Sequence, residues 1–141
     1  MHQYVTFVLD HWELFAALVI ILALLAGGQF TDRLRGFRAV SPSEATQLIN
    51  REDALVLDVR EDGEYQGGHI INSVHIPLAG LNDHLGELEK HKDKPIIVGC
   101  RSGQRSARAC ATLRKQGFER VYNLAGGVMA WQNANLPLSK Q

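Results

Sequence analysis

The chain has 141 residues, 15 basic and 15 acidic, with two cysteines. That length gives room for one domain of ordinary size. Balanced charge gives no global attraction to nucleic acid, and two cysteines exclude both a disulfide-stapled scaffold and a four-cysteine zinc site.

The first element is an apolar helix. Leu14 to Thr31 carries no charge over 18 residues. As a helix this run spans roughly 27 Å, close to the ~30 Å hydrocarbon core of a bilayer. Tyr4 and Trp12 on one side and Phe30 on the other suit the interfacial belts. The expectation is an N-terminal segment, 1–31, with a single transmembrane helix over about 12–31; a buried core helix is the alternative. No Lys or Arg precedes the run, only Asp10 and Glu13, whereas Arg33, Arg35 and Arg38 follow it. The positive-inside rule then places residues 32–141 in the cytoplasm. A cleaved signal peptide needs the reverse charge order, and Leu24-Leu25-Ala26 is a poor cleavage site. The expected location is therefore the inner (plasma) membrane of a bacterium, with lipid contacted through this helix. Residues 32–38 read as a juxtamembrane linker whose arginines fix topology.

From residue 39 to 141 the pattern becomes strands alternating with helices. Ser41-Pro42-Ser43-Glu44 is a capping box with Pro at the first helical position. It opens a helix through Ala45, Leu48 and Ile49. Ala54 to Val59 is a near-continuous apolar run, as in a strand buried on both faces. Glu64 to Gly67 predicts one helical turn, and Ser73 to Pro77 a short extended piece. Leu81, Leu85 and Leu88 mark a helix with a polar outer face. Pro95 to Val98 predicts a second buried strand, Ser102 to Gln116 a helix closed by Gly117, and Val121 to Leu124 another strand. Gly126-Gly127 leads into a last helix carrying Met129 and Trp131. This alternation predicts an α/β domain with a mostly parallel sheet covered on both faces. Sites in such sheets lie at the carboxyl ends of strands, where Asp58 and Cys100 fall.

Cys100 stands where a strand runs into a helix N-terminus, followed by Arg101-Ser102-Gly103-Gln104-Arg105-Ser106. Unpaired N–H groups and the positive end of the helix dipole favour an anion there. A thiol so placed has its pKa lowered by roughly 1 to 5 units from about 8.5, and the same cradle suits an anionic substrate. Cys110, ten residues on, reads as a small buried hydrophobe rather than a resolving thiol. His69 and His75 have finger-like spacing, but no Cys-x-x-Cys accompanies them, so no metal is expected.

Several motifs occur in one order: Asp58-Val59-Arg60, Glu64-Tyr65, Gly68-His69-Ile70, Asn72 to Pro77, Cys100 to Ser106, Gly126-Gly127 with Trp131, and Leu136-Pro137. In this order they resemble the rhodanese-like sulfurtransferases over nearly all of residues 39–141. Ile71 and Ser73 depart from the family's frequent Pro and Ala. The resemblance implies the rhodanese α/β fold, no cofactor, and a Cys100 persulfide passed from a donor such as thiosulfate or a protein persulfide to a thiol or cyanide. Arg101 and Arg105 would attract and orient the donor. Ser102, Gly103, Gln104 and Ser106 complete the binding loop, with the two serines expected to cap the helix or, alternatively, to donate hydroxyl hydrogen bonds. Asp58 and Arg60 are expected to support the site by ion pairing, and His69 to be structural, paired with Glu64. Cdc25-like phosphatases and arsenate reductases share the architecture, but their loop places five residues between Cys and Arg; here four separate Cys100 from Arg105. A tethered interaction module without catalysis, serving an unidentified protein partner, is the other alternative.

Overall fold

The computed structural model describes residues 1–140, and the side chains of all of these except residues 28–33. The interfacial Phe30 and the topology-fixing Arg33 expected from the sequence lie outside the described side chains. The chain divides into two compact units, Met1–Leu34 and Arg35–Gln141.

In the first unit, α1 (His2–Asp10) and α2 (Trp12–Arg35) meet at a break at His11, with a 75° bend between His2–Asp10 and Trp12–Gly27. The large apolar side chains from Leu18 to Leu25 are exposed. Among the described residues no single helix is long and apolar enough to cross a membrane; only the two helices of this bent pair, taken together, meet that length and composition. The expected linker over 32–38 is shorter in the backbone. Helix α2 runs to Arg35 and a strand starts at Arg38, leaving Gly36 and the buried Phe37 between them.

The second unit carries five parallel strands: β1 (Arg38–Val40), β2 (Leu55–Asp58), β3 (Val74–His75), β4 (Ile96–Gly99) and β5 (Val121–Leu124). Their order is β1-β5-β4-β2-β3. Four helices connect them: α3 (Pro42–Glu52), α4 (Asp62–Gln66), α5 (Leu85–Leu88) and α6 (Gln104–Lys115); α7 (Gly127–Asn133) follows β5. The capping box opens α3, with Glu44 N–H donating to Ser41 Oγ at 3.1 Å. At the end of α6, Gly117 adopts φ +91° and lets Phe118 N–H reach back to the Leu113 carbonyl at 3.1 Å.

The single helix expected around Leu81, Leu85 and Leu88 is instead a broken segment. Only Leu85–Leu88 is α-helical, between 3₁₀ stretches Leu78–His84 and Glu89–His91. The spacing of the leucines is helical and Leu81 and Leu88 are buried. Gly80 and Gly86 weaken a continuous helix there.

The period-two alternation of the central strands sorts the core onto two faces. Leu57, Val59, Ile96, Val98 and Cys100 point to the face covered by α6 and the 78–91 segment, packing with Leu81, Leu88, Ala109, Cys110 and Leu113. Val56 and Ile97 point to the other face, against Val40, Ala45, Leu124 and Trp131. Cys100 therefore continues a buried row of Ile96 and Val98. From β2 the chain passes to β3 on one side, and from β4 to β5 on the other. The carboxyl ends of β2 and β4 thus form the crevice where such sheets place their sites.

Candidate active site

Cys100 follows β4 directly, beside the end of β2, where Val59 N–H donates to the Gly99 carbonyl at 3.0 Å. The loop after it turns back over the sulfur. Gly103 stands at the N-terminus of α6 with φ +106°, a conformation that glycine adopts without strain. This turn aims the Gly103 N–H at Cys100 Sγ, 3.0 Å away. The Ser106 hydroxyl lies 3.4 Å from the same sulfur. Burial works against a thiolate here. The Ser106 hydroxyl, when its one proton is turned to the sulfur, and the N–H groups of Ser106, Gly103 and Ser102 outweigh it, and the thiol is held below its ordinary value.

The neighbouring groups are arranged around that anion site. Ser106 is buried, and its hydroxyl donates to Asn123 Oδ1 at 2.6 Å. Neither Ser102 nor Ser106 caps α6, whose N-cap is Gly103; the Ser106 hydroxyl instead lies against the sulfur and Asn123, the hydrogen-bonding alternative to capping. Arg105 forms a bidentate pair with Glu64, Nη1 to Oε1 at 2.7 Å and Nη2 to Oε2 at 2.9 Å. Its hydrogen bonds hold the Glu64 carboxyl at about 2. Arg105 therefore enters the site with its charge matched. Arg101, Ser102 and Gln104 are exposed at the rim.

Asp58 and Arg60 are buried together. Arg60 Nη2 donates to Asp58 Oδ2 at 2.8 Å and to the Gly68 carbonyl at 2.8 Å, and Arg60 Nε donates to Asp58 Oδ1 at 3.0 Å. The pair ties the end of β2 to the turn before His69. His69 is buried, but it is not paired with Glu64. Its Nδ1 lies 3.0 Å from the Tyr65 carbonyl and its ring stacks on Tyr65, which also stacks on His75. The carboxylate expected for His69 is taken by Arg105. Cys110 is buried in α6, and burial pushes its thiol up, with the charge of Cys100 adding to the effect. Among the described residues no group of three or more His, Cys, Asp or Glu side chains is placed to hold a metal ion.

Two features escaped the sequence reading. Asn123, in β5, donates from Nδ2 to the Gly103 carbonyl at 3.1 Å and so anchors the turn over the sulfur. An amide in an otherwise apolar strand was the available signal. The second is the hold of the Gly126-Gly127 turn on the cysteine loop, the turn itself having been expected only as the lead into the last helix. It lets Val128 N–H donate to the Cys100 carbonyl at 2.8 Å and Met129 N–H to the Arg101 carbonyl at 3.2 Å. A Cβ on Gly127 would fall on the carbonyls of Cys100 and Arg101.

Comparison with known proteins agrees with this arrangement. Residues 41–134 match the rhodanese-like domain. The chain is 37% identical over 139 residues to YibN of Escherichia coli, an uncharacterised protein, covering 98% of this chain and 97% of that one. It is 37% identical over 98 residues to the thiosulfate sulfurtransferase GlpE of Pseudoalteromonas translucida, covering 70% of this chain and 91% of that enzyme. The crystal structure of a rhodanese-related protein from Thermoplasma volcanium superposes with a TM-score of 0.67 at 32% identity, over 74% of this chain and 99% of the other. A matched domain spanning most of the chain, sulfurtransferase relatives and a shared parallel-sheet fold together make this chain a member of the rhodanese-like family.

Proposed function

We propose that the protein is a sulfurtransferase that carries a sulfane sulfur on Cys100. The observation that carries this reading is the sulfur of Cys100 held by the Gly103 N–H and the N–H groups of Ser102 and Ser106 at the start of α6. Such a cradle stabilises a sulfur anion without any rearrangement of side chains. In the first half-reaction the Cys100 thiolate attacks the outer sulfur of a thiosulfate-like donor. The donor S–S bond breaks, its electron pair leaves with sulfite, and a Cys100 persulfide anion remains. In the second, a thiolate or cyanide attacks the outer sulfur and the electron pair of the new S–S bond returns to Cys100. No external oxidant or reductant is required, and ping-pong kinetics follow from the covalent intermediate. The name borne by GlpE supports thiosulfate as a donor in vitro. Arg101, exposed at the mouth, and Arg105 set the charge that an anionic donor meets.

The same reading includes a membrane tether over about residues 12–31, with the domain on the cytoplasmic side. It is supported by the uncharged run from Leu14 to Thr31 and the arginines that follow it.

Intact mass before and after thiosulfate tests the chemistry. The expected result is a gain of one sulfur that requires Cys100, persists in Cys110→Ser and is reversed by cyanide or a thiol. No adduct with thiosulfate or a persulfide donor overturns it.

A further inference from the structure

Behind Cys100 two groups need the same proton. Asn123 Nδ2 lies 3.1 Å from the Gly103 carbonyl, and a carbonyl only accepts. This fixes the orientation of the amide. Asn123 Oδ1 must face the Ser106 hydroxyl, 2.6 Å away, and accept from it. A hydroxyl has one proton. With that proton on Asn123, Ser106 presents lone pairs to Cys100 Sγ at 3.4 Å. This suits a neutral thiol, whose S–H points at Ser106 Oγ. It opposes a thiolate, which gains the Ser106 proton only when the hydroxyl turns away and leaves a half-buried amide oxygen without its donor.

We infer that Asn123 is a positioning residue that competes with the Cys100 thiolate for the Ser106 proton, favouring the forms in which Sγ carries no charge. The thiol is one such form. The persulfide is the other, because its Sγ is bonded to Cβ and to the outer sulfur, and the outer sulfur carries the charge. Asn123 thus disfavours the bare thiolate relative to the loaded enzyme and helps to retain the sulfur until an acceptor arrives. The persulfide half of this inference rests on the sulfur-transfer reading; the thiolate half does not.

A double-mutant cycle on the full chain tests it, reading Cys100 ionisation by ultraviolet thiolate absorbance against pH. Cys110 does not interfere, because burial pushes its thiol up. Asn123→Leu is expected to lower the ionisation midpoint by about one pH unit. In a Ser106→Ala background the same substitution should leave the midpoint where it is. A midpoint unchanged or raised by Asn123→Leu overturns the inference. So does an equal fall in both backgrounds, which assigns the effect to the lost Gly103 tether. Asn123→Ala runs the same cycle if the leucine variant does not fold.

A second arm equilibrates the protein with thiosulfate and sulfite and reads the persulfide fraction by intact mass. Asn123→Leu should shift the ratio of persulfide to free enzyme down by up to about ten-fold; equal ratios overturn the persulfide half. If the wild-type protein takes up no sulfur, the sulfur-transfer reading fails with that half, and the ionisation cycle alone decides the other.

Discussion

Glu64 and Arg105, 41 positions apart, meet through two hydrogen bonds at the edge of the Cys100 loop. The pair joins α4 to α6 and also removes most of the net charge of Arg105 from the space an anionic donor occupies. Glu64→Gln keeps the shape and removes the negative charge. The KM for thiosulfate is expected to fall about three-fold, as the freed guanidinium attracts a dianion. A rise in KM would mean that the carboxylate is needed chiefly to hold Arg105 in place.

The same pair has a pH signature. The folded Glu64 carboxyl is depressed to about 2 by its hydrogen bonds with Arg105, below the ~4.3 of an unfolded chain. Its contribution is therefore fully present above about pH 4.3. It is lost as pH falls through about 2. Both side chains are about one-third exposed, so solvent screening limits the contribution to about 1 kcal/mol. Chemical denaturation between neutral and acid pH should show this component in the wild type and not in Glu64→Gln.

The Asp58–Arg60 pair is a different case, because both side chains are buried. Removing one partner leaves the other charge in the interior. Asp58→Leu is expected to cost about 3–5 kcal/mol, read as a lower denaturation midpoint. Asp58→Leu with Arg60→Met should recover much of that loss. A single substitution costing less than about 1 kcal/mol would show that water or another group reaches the stranded arginine.

Gly127 should tolerate no side chain. Its φ is +61°, and a Cβ would collide with the carbonyls of Cys100 and Arg101. Gly127→Ala is expected to lose at least about 2 kcal/mol of stability and, with it, the reactivity of Cys100 toward alkylating reagents. A normal Tm together with normal alkylation would show that the turn can shift without disturbing the loop.

For the tether, alkaline extraction of membranes should leave the full chain in the pellet, and deletion of residues 1–31 should release the domain. A reporter fused after Gln141 should be active only if its activity requires the cytoplasm. Release of the full chain by alkali would count against a spanning helix.

Local patterns carried much of the fold. The capping box at Ser41 and Glu44, the apolar runs that became β2 and β4, and Gly117 after α6 all act through residues within a few positions of one another, so a one-dimensional pattern displays them. Leu81, Leu85 and Leu88 misled because burial of a leucine stripe can be met by 3₁₀ and α turns in succession. The strand β1 was not anticipated; three residues are too short to show a period. At the site, Cys100 and its loop were legible because strand, loop and helix are contiguous. The partners were not. Glu64 and Asn123 reach the loop from 41 and 17 positions away, and only the packing of α4 and β5 brings them there.

The carbonyls of Cys100 and Arg101 are held by amides at the start of α7, the last helix in the second unit. A polypeptide is synthesised from its N-terminus, so the cysteine leaves the ribosome well before the helix that shapes its loop. Until Val128 and Met129 are in place, those two carbonyls lack the amides that hold them, and the turn around Cys100 is unfinished. The loop that carries the nucleophile is thus completed only after α7 is made, and a chain that stops before α7 lacks two of the hydrogen bonds that fix it.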